Sequence, residues 1–257
     1  LSPLRRTPLD ALLGRWTLDM SPAFLALEIA GKLLSPYDLN PGGFNPLRDV
    51  LGESVDFARL AHAPVKLFVT ATNVRTGQGR VFRNADVTPD VLLASACLPF
   101  LFQAVEIGGE AYWDGGYMGN PAIFPLIYGC ESRDVVVVHI NPTMRAEVPR
   151  TARDILNRVN EISFNSSLMR EMRAIQFVTD LIDQGRVPDG KLKRMLIHAI
   201  AADEVMGRLG VNSKLNADRA FLCELRDAGR RHAGLWLDAN WADLGERSTT
   251  DLRAAYL

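Results

Sequence analysis

The sequence predicts an α/β protein. Two nearly continuous apolar runs, VKLFVTATNV at 65–74 and DVVVVHI at 134–140, have the composition of buried strands. Stretches with apolar residues at helical spacing lie before, between and after them. Near Pro142 to Pro149 the composition turns from strand-rich to helix-rich and more charged. With 257 residues, the chain is long enough for one large domain or for a domain with a substantial appendix. The change in composition sets an expected division into residues 1–145 and 146–257.

Each element has its own local signal. From Pro8 to Leu34, apolar residues recur at Leu9, Leu12, Leu13 and Trp16, then at Phe24, Leu27, Ile29, Ala30, Leu33 and Leu34, with Ser21 and Pro22 as a start signal. That pattern predicts two helices. SPYDLNPGGFNP at 35–46 is dense in Pro, Gly and Asn and predicts an extended surface loop, followed by a short helix over Asp49 to Ala61. VKLFVTATNV lacks clean alternation, so a central strand buried on both faces is expected. TGQG at 76–79 turns the chain into GRVFRN, and Thr88-Pro89 opens a helix that stops near Pro99. FQAVEI, Gly108-Gly109 and EAYWD then spell a β-hairpin.

Asn120-Pro121 is expected to cap a short helix that ends at Gly129, and DVVVVHI follows as another all-apolar strand in a βαβ order. From Thr151 to Gly185 the spacing gives one long helix or a kinked pair, with a phase shift near Ser166. RMLIHAIAA at 194–202 reads as a third buried strand, and a helix is expected from about Ala217 to Leu237.

Bulk properties narrow the function. Twenty-nine basic against thirty acidic residues leave a net charge of -1, which gives no electrostatic ground for a nucleic-acid partner. Cys97, Cys130 and Cys223 are odd in number, far apart and set in apolar surroundings, as suits reduced thiols in a cytoplasmic protein. No apolar run reaches the ~18 residues of a membrane span, and LSPLRRTPLD has no signal-peptide core. A soluble protein is expected. The chain opens on Leu1 with residues that read like the interior of a domain, so a piece of a longer protein is expected.

The most informative short stretch is AYWDGGYMGNP at 111–121. Asp-Gly-Gly is commonly a tight turn, since aspartate bonds nearby N–H groups and glycine takes positive φ without strain. Here it closes a strand, where alternation separates Trp113 from Asp114 and lets the carboxylate face a cleft while the ring packs. A carboxylate fixed in this way can serve as a general base. The hydroxyl it would activate is missing, because no Gly-x-Ser-x-Gly elbow occurs in the sequence; GESVD at 52–56 lacks the closing glycine. His139, at the end of DVVVV, is the only histidine placed like a triad base, and no two histidines have metal-ligand spacing.

Three other patterns carry little. GRVPDGKL at 185–192 has a phosphate-loop skeleton but follows a helix and ends in leucine where a hydroxyl is needed. Asn165-Ser166-Ser167 falls in a predicted helix, which argues against glycosylation. Arg226, Arg230, Arg231 and His232 read as a solvated face, with attraction to anionic lipid as the alternative.

The run ASACLPFLFQAVEIGGEAYWDGGYMGNPAIFPLI at 94–127 resembles the corresponding block of patatin-like phospholipases. LLSPYDLNPGGFNPLRDVL at 33–51 and VKLFVTATNVRTGQGRVF at 65–82 extend the resemblance, in the same order, over roughly residues 1–145. The remainder, including PRTARDILNRVNEISFNSSLMREM, is similar to a helical C-terminal extension in a bacterial subgroup of the family. The resemblance implies a three-layer sandwich with a mostly parallel central sheet, truncated at its N-terminus, followed by that extension. It also implies a lipid acyl hydrolase with a Ser-Asp dyad whose serine and Gly-rich oxyanion loop lie upstream. Asp114 would be the base, Gly115 and Gly116 would shape its turn, and Pro99, Phe100 and Phe102 are candidates for a pocket wall. The implied substrate is a lipid or other ester, met in the cytoplasm or at a membrane surface, with no metal or organic cofactor. A non-catalytic lipid- or protein-binding module and a His139-based triad are the alternatives. Head group, acyl-chain length and oligomeric state are not encoded in any recognisable pattern.

Overall fold

The computed structural model describes residues 4–145 and 147–257, without the side chains of Lys32, Arg153 and Val211. Leu1, where the sequence opens, and Ala146, the first residue of the expected extension, lie outside the described residues. The chain forms two compact units, Gly31–Glu131 with Ser166–Glu171, and Leu1–Ala30 with Ser132–Asn165 and Met172–Leu257. Helices and sheets are mixed in sequence, as the α/β expectation requires.

The first unit holds a four-stranded sheet made of β1 (Phe68–Asn73), β2 (Gly79–Arg83), β3 (Val105–Ile107) and β4 (Glu110–Asp114), in the order β2-β1-β4-β3. The VKLFVTATNV run is therefore an interior strand, and none of its residues from Phe68 to Asn73 is exposed. Every pairing in this sheet is antiparallel, so the mostly parallel sheet that the resemblance implied is met only in part, by the separate two-stranded sheet of the second unit. The connections explain two of the three pairings, β1 with β2 and β3 with β4. TGQG and Gly108-Gly109 are hairpin turns, and a parallel pair needs a crossover of a dozen or more residues. Gly108 and Gly109 have φ of 62° and 81°, the left-handed backbone that a two-residue hairpin demands.

Ala71, Phe82, Val87, Val91, Ala94 and Tyr112 make the core of this unit. Phe82 and Tyr112 meet edge to face with ring centroids 5.9 Å apart. Burying each such ring is worth ~1.5–3 kcal/mol. Val91 and Ala94 come from the helix Pro89–Ser95, which Thr88 caps by accepting the Val91 N–H at 3.3 Å. The expected loop at 35–46 contains one helical turn, Pro36–Leu39, because Ser35 and Asp38 form a reciprocal capping box. The short helix expected over Asp49 to Ala61 is two helices, Leu47–Ser54 and Phe57–Ala61, the second started by Asp56 accepting from the Arg59 N–H.

Asn120-Pro121 does not cap the next helix. That helix runs Phe124–Gly129 and starts after Ile123, and the peptide between Asn120 and Pro121 is cis.

In the second unit, β5 (Asp134–Val138) and β6 (Leu196–Ile200) pair in parallel. The all-apolar DVVVV stretch is not covered on both faces: Val135 and Val137 are buried, whereas Val136 and Val138 are 41% and 65% exposed. Thr151 caps the helix Ala152–Asp183 through the Asp154 N–H at 3.1 Å, and the helix continues for 32 residues without a break. The phase shift near Ser166 is thus no kink. Residues 166–171 of this helix belong to the first unit. The last long helix, Arg219–Asn240, begins at Asp218 and runs three residues past its expected end.

Candidate active site

Asp114 is the last residue of β4, and its main chain is held at both ends. Its N–H donates to the Cys97 carbonyl at 2.9 Å, and its carbonyl accepts from the Thr72 hydroxyl at 2.8 Å. Ala71, in β1, is its cross-strand partner. The side chain folds onto the following turn, where Oδ1 accepts the Gly116 N–H at 2.7 Å and caps the 3-10 turn Gly115–Tyr117. Met118 and Gly119 then return their N–H groups to the Gly115 carbonyl at 3.0 and 2.9 Å.

The two glycines lie in the turn that Asp114 caps, but not by way of the positive φ that Asp-Gly-Gly commonly uses. Neither has positive φ. Gly115 is required by close approach instead, since a Cβ there would stand 1.9 Å from the Thr70 carbonyl oxygen of β1. Gly116 supplies the N–H that fixes the carboxylate. The packed ring also differs from expectation, because Tyr112 is the ring that fills the core while Trp113 is half-buried.

The charge of Asp114 reaches two neighbours. Burial pushes the Cys97 thiol up to about 11, and the Asp114 carboxylate adds to the rise. Tyr117 is raised for the same reasons, first by burial and then by Asp114. Cys97 is held neutral and donates its S–H to the Gln103 carbonyl at 3.1 Å. Through the Cys97 backbone and thiol, the turn that carries Pro99, Phe100 and Phe102 is tied directly to Asp114. Within that turn Pro99 and Phe102 are half-buried and Phe100 is 75% exposed. The structure thus brings together Asp114, Gly115, Gly116 and the 99–102 turn. Thr72, Cys97 and Tyr117 join them, although no sequence motif marks these three.

His139 sits elsewhere, in the second unit. Its Nε2 shares a 2.6 Å hydrogen bond with the Tyr256 hydroxyl, and its N–H extends the β5–β6 ladder to the Ile200 carbonyl. Burial holds the imidazole below its ordinary value, against the pull of Asp203, and the same burial pushes Tyr256 up to about 12. Among the described residues, no three of His, Cys, Asp and Glu are grouped so as to hold a metal ion. No described helix is long and apolar enough to cross a membrane.

Residues 5–127 match the family model for patatin-like phospholipase. This stretch of the chain is patatin-like. The match includes Asp114, both glycines and the 99–102 turn, and it ends before His139. No curated protein matches the chain.

Proposed function

We propose that the patatin-like stretch supplies the aspartate of a Ser-Asp dyad that hydrolyses carboxylic esters of lipids. The carrying observation is Asp114 itself, a carboxylate pinned through its N–H, its carbonyl and Oδ1 at the end of an interior strand pairing, inside the patatin-like match. Fixed geometry of this kind suits a base that must meet one hydroxyl repeatedly. In this reading the nucleophile is a serine upstream of these 257 residues, which contain no Gly-x-Ser-x-Gly. Residues 1–145 belong to the family's three-layer α/β sandwich and residues 146–257 form a helical extension. The protein acts in the cytoplasm or at a membrane surface, and the present polypeptide by itself turns nothing over.

The chemistry follows from the pair. Asp114 takes the serine proton as the oxygen attacks the ester carbonyl, and an oxyanion forms that preorganised N–H groups must stabilise. Collapse breaks the ester C–O bond, and the proton on Asp114 passes to the leaving alkoxide. The acyl-serine is then cleaved by water, with Asp114 again taking the proton and returning it to the serine oxygen.

A fluorophosphonate probe applied to the full-length protein tests this reading. Labelling of one serine, slowed strongly by Asp114→Asn and unchanged by His139→Ala, is the expected result. Equal labelling of Asp114→Asn removes the dyad. No labelling of any serine leaves a non-catalytic lipid- or protein-binding module as the function.

A further inference from the structure

The segment between Asp114 and the helix Phe124–Gly129 is fixed from two sides. Its near end is secured by Asp114 and by the Gly115 carbonyl, as described above. Its far end is secured by side chains 47 and 48 positions away in sequence. The Asn120 N–H donates to Ser167 Oγ at 3.2 Å, and the Ile123 and Phe124 N–H groups both donate to Glu171 Oε2 at 2.8 Å. Ser167 and Glu171 are four residues apart on the helix Ala152–Asp183, hence one turn apart on one face. Between the two anchors the chain doubles back so tightly that a Cβ on Gly119 would lie 2.6 Å from that of Ala122.

The helix Phe124–Gly129 has no side-chain cap of its own. Glu171 takes that part from outside, offering one carboxylate oxygen to the two leading N–H groups. Ile123, whose N–H is one of the groups held by Glu171, is completely buried, and Ser167 nearly so. Burial works against the ionised form of Glu171 and raises its proton affinity, while the two N–H groups oppose that rise. A carboxylate kept in such a place is better explained by where it holds the backbone than by solvation.

We propose that Ser167 and Glu171 are positioning residues for Asp114: a helix outside the patatin-like match clamps the far end of the Asp114 loop and keeps the carboxylate in register with the hydroxyl it activates. This rests on the reading of Asp114 as the base. Displacement of a reacting group by about 1 Å is enough to cost on the order of 100-fold in rate, so loosening one of two anchors should appear in kcat more than in KM.

The test uses the full-length protein and two readouts, steady-state hydrolysis of a short-chain ester and amide hydrogen exchange. Glu171→Ala is expected to lower kcat roughly 10- to 100-fold with KM within about twofold, and Ser167→Ala to lower it less. Glu171→Gln, which keeps an acceptor oxygen, should restore most of kcat. The Met118 and Gly119 amides should exchange at least about tenfold faster in Glu171→Ala, while those of β1 stay protected. Arg170→Ala, on an exposed position of the same helical turn, should change neither readout. Unchanged exchange in the loop, or faster exchange with kcat per folded molecule intact, overturns the positioning role while the base assignment survives. Full turnover in Asp114→Asn overturns the base assignment, and the positioning role with it.

Discussion

Two aspartates, one in each unit, accept a glycine N–H at the same 2.7 Å distance and yet stand in opposite situations. Asp114 closes β4 and is held chiefly through its main chain, with Gly116 on its Oδ1. Asp134 opens β5 and is held through its side chain, which accepts from Gly245 and meets His198 Nε2 at 3.0 Å. The Asp134–His198 pair looks more like part of a hydrolase triad than Asp114 does. However, His198 is 0% exposed, and its Nδ1 is occupied by the Thr249 hydroxyl at 3.0 Å. An imidazole engaged on both nitrogens and shut away from solvent cannot reach a substrate. The pair is a latch that ties the β5–β6 sheet to residues 245–249, with Ser248 Oγ accepting the Ile197 N–H beside it. The comparison teaches that an acid–histidine contact is not a catalytic signature without access.

The largest difference between the two aspartates should be in turnover. Asp114→Asn in the full-length protein is expected to lower kcat for an ester substrate about 10²–10⁴-fold, the range of general-base catalysis. Asp134→Asn should leave kcat per folded molecule within about threefold; a loss equal to that of Asp114→Asn would give both aspartates the same standing in turnover. Next comes Gly115→Ala, whose methyl group would collide with the Thr70 carbonyl oxygen. A loss of roughly 3 kcal/mol in urea unfolding is expected, at the upper end of ordinary overpacking. A wild-type midpoint for this variant would show that the turn can shift and that glycine is not needed for close approach.

His198→Ala removes the buried partner of Asp134 and should cost about 1–3 kcal/mol, the usual penalty for unpairing a buried polar group. Protection of the β5 and β6 amides should drop with it.

The smallest effect concerns acid. Burial would raise the Asp134 carboxyl, but the Gly245 N–H, the His198 ring and the Arg133 charge together hold it below the usual carboxylate value of 3.8. A depressed native value means that this contribution is present above the unfolded value near 3.8 and is lost as pH falls through the native one. Asp134→Asn should therefore be less stable than wild type at neutral pH, and the gap should narrow below about pH 4. Parallel stability curves over that interval would show that Asp134 carries no pH-dependent share.

Much of the local structure was legible because its causes are local. Thr88-Pro89, Ser21-Pro22 and the Gly108-Gly109 pair act over a few residues through caps and φ preference, and each produced the element it predicted. Asp114 was legible for the same reason, at the end of a strand beside two glycines. The reason for Gly115 was not, since the Thr70 carbonyl that demands it belongs to a strand more than forty positions away. Apolar composition misled at DVVVV, because a valine run states what a strand can bury and not which faces find a partner.

By itself the sequence determined the strands, the long helices, the hairpins and the aspartate at the end of one of them, since propensity, capping and turn chemistry are short-range forces that a reader can follow residue by residue. Tertiary structure alone decided that the larger sheet is antiparallel throughout, that His198 rather than His139 meets an aspartate, and that Ser167 and Glu171 reach the Asp114 loop. Those outcomes depend on which distant backbone groups must share a buried space and find hydrogen-bond partners there, a condition set by the path of the whole chain.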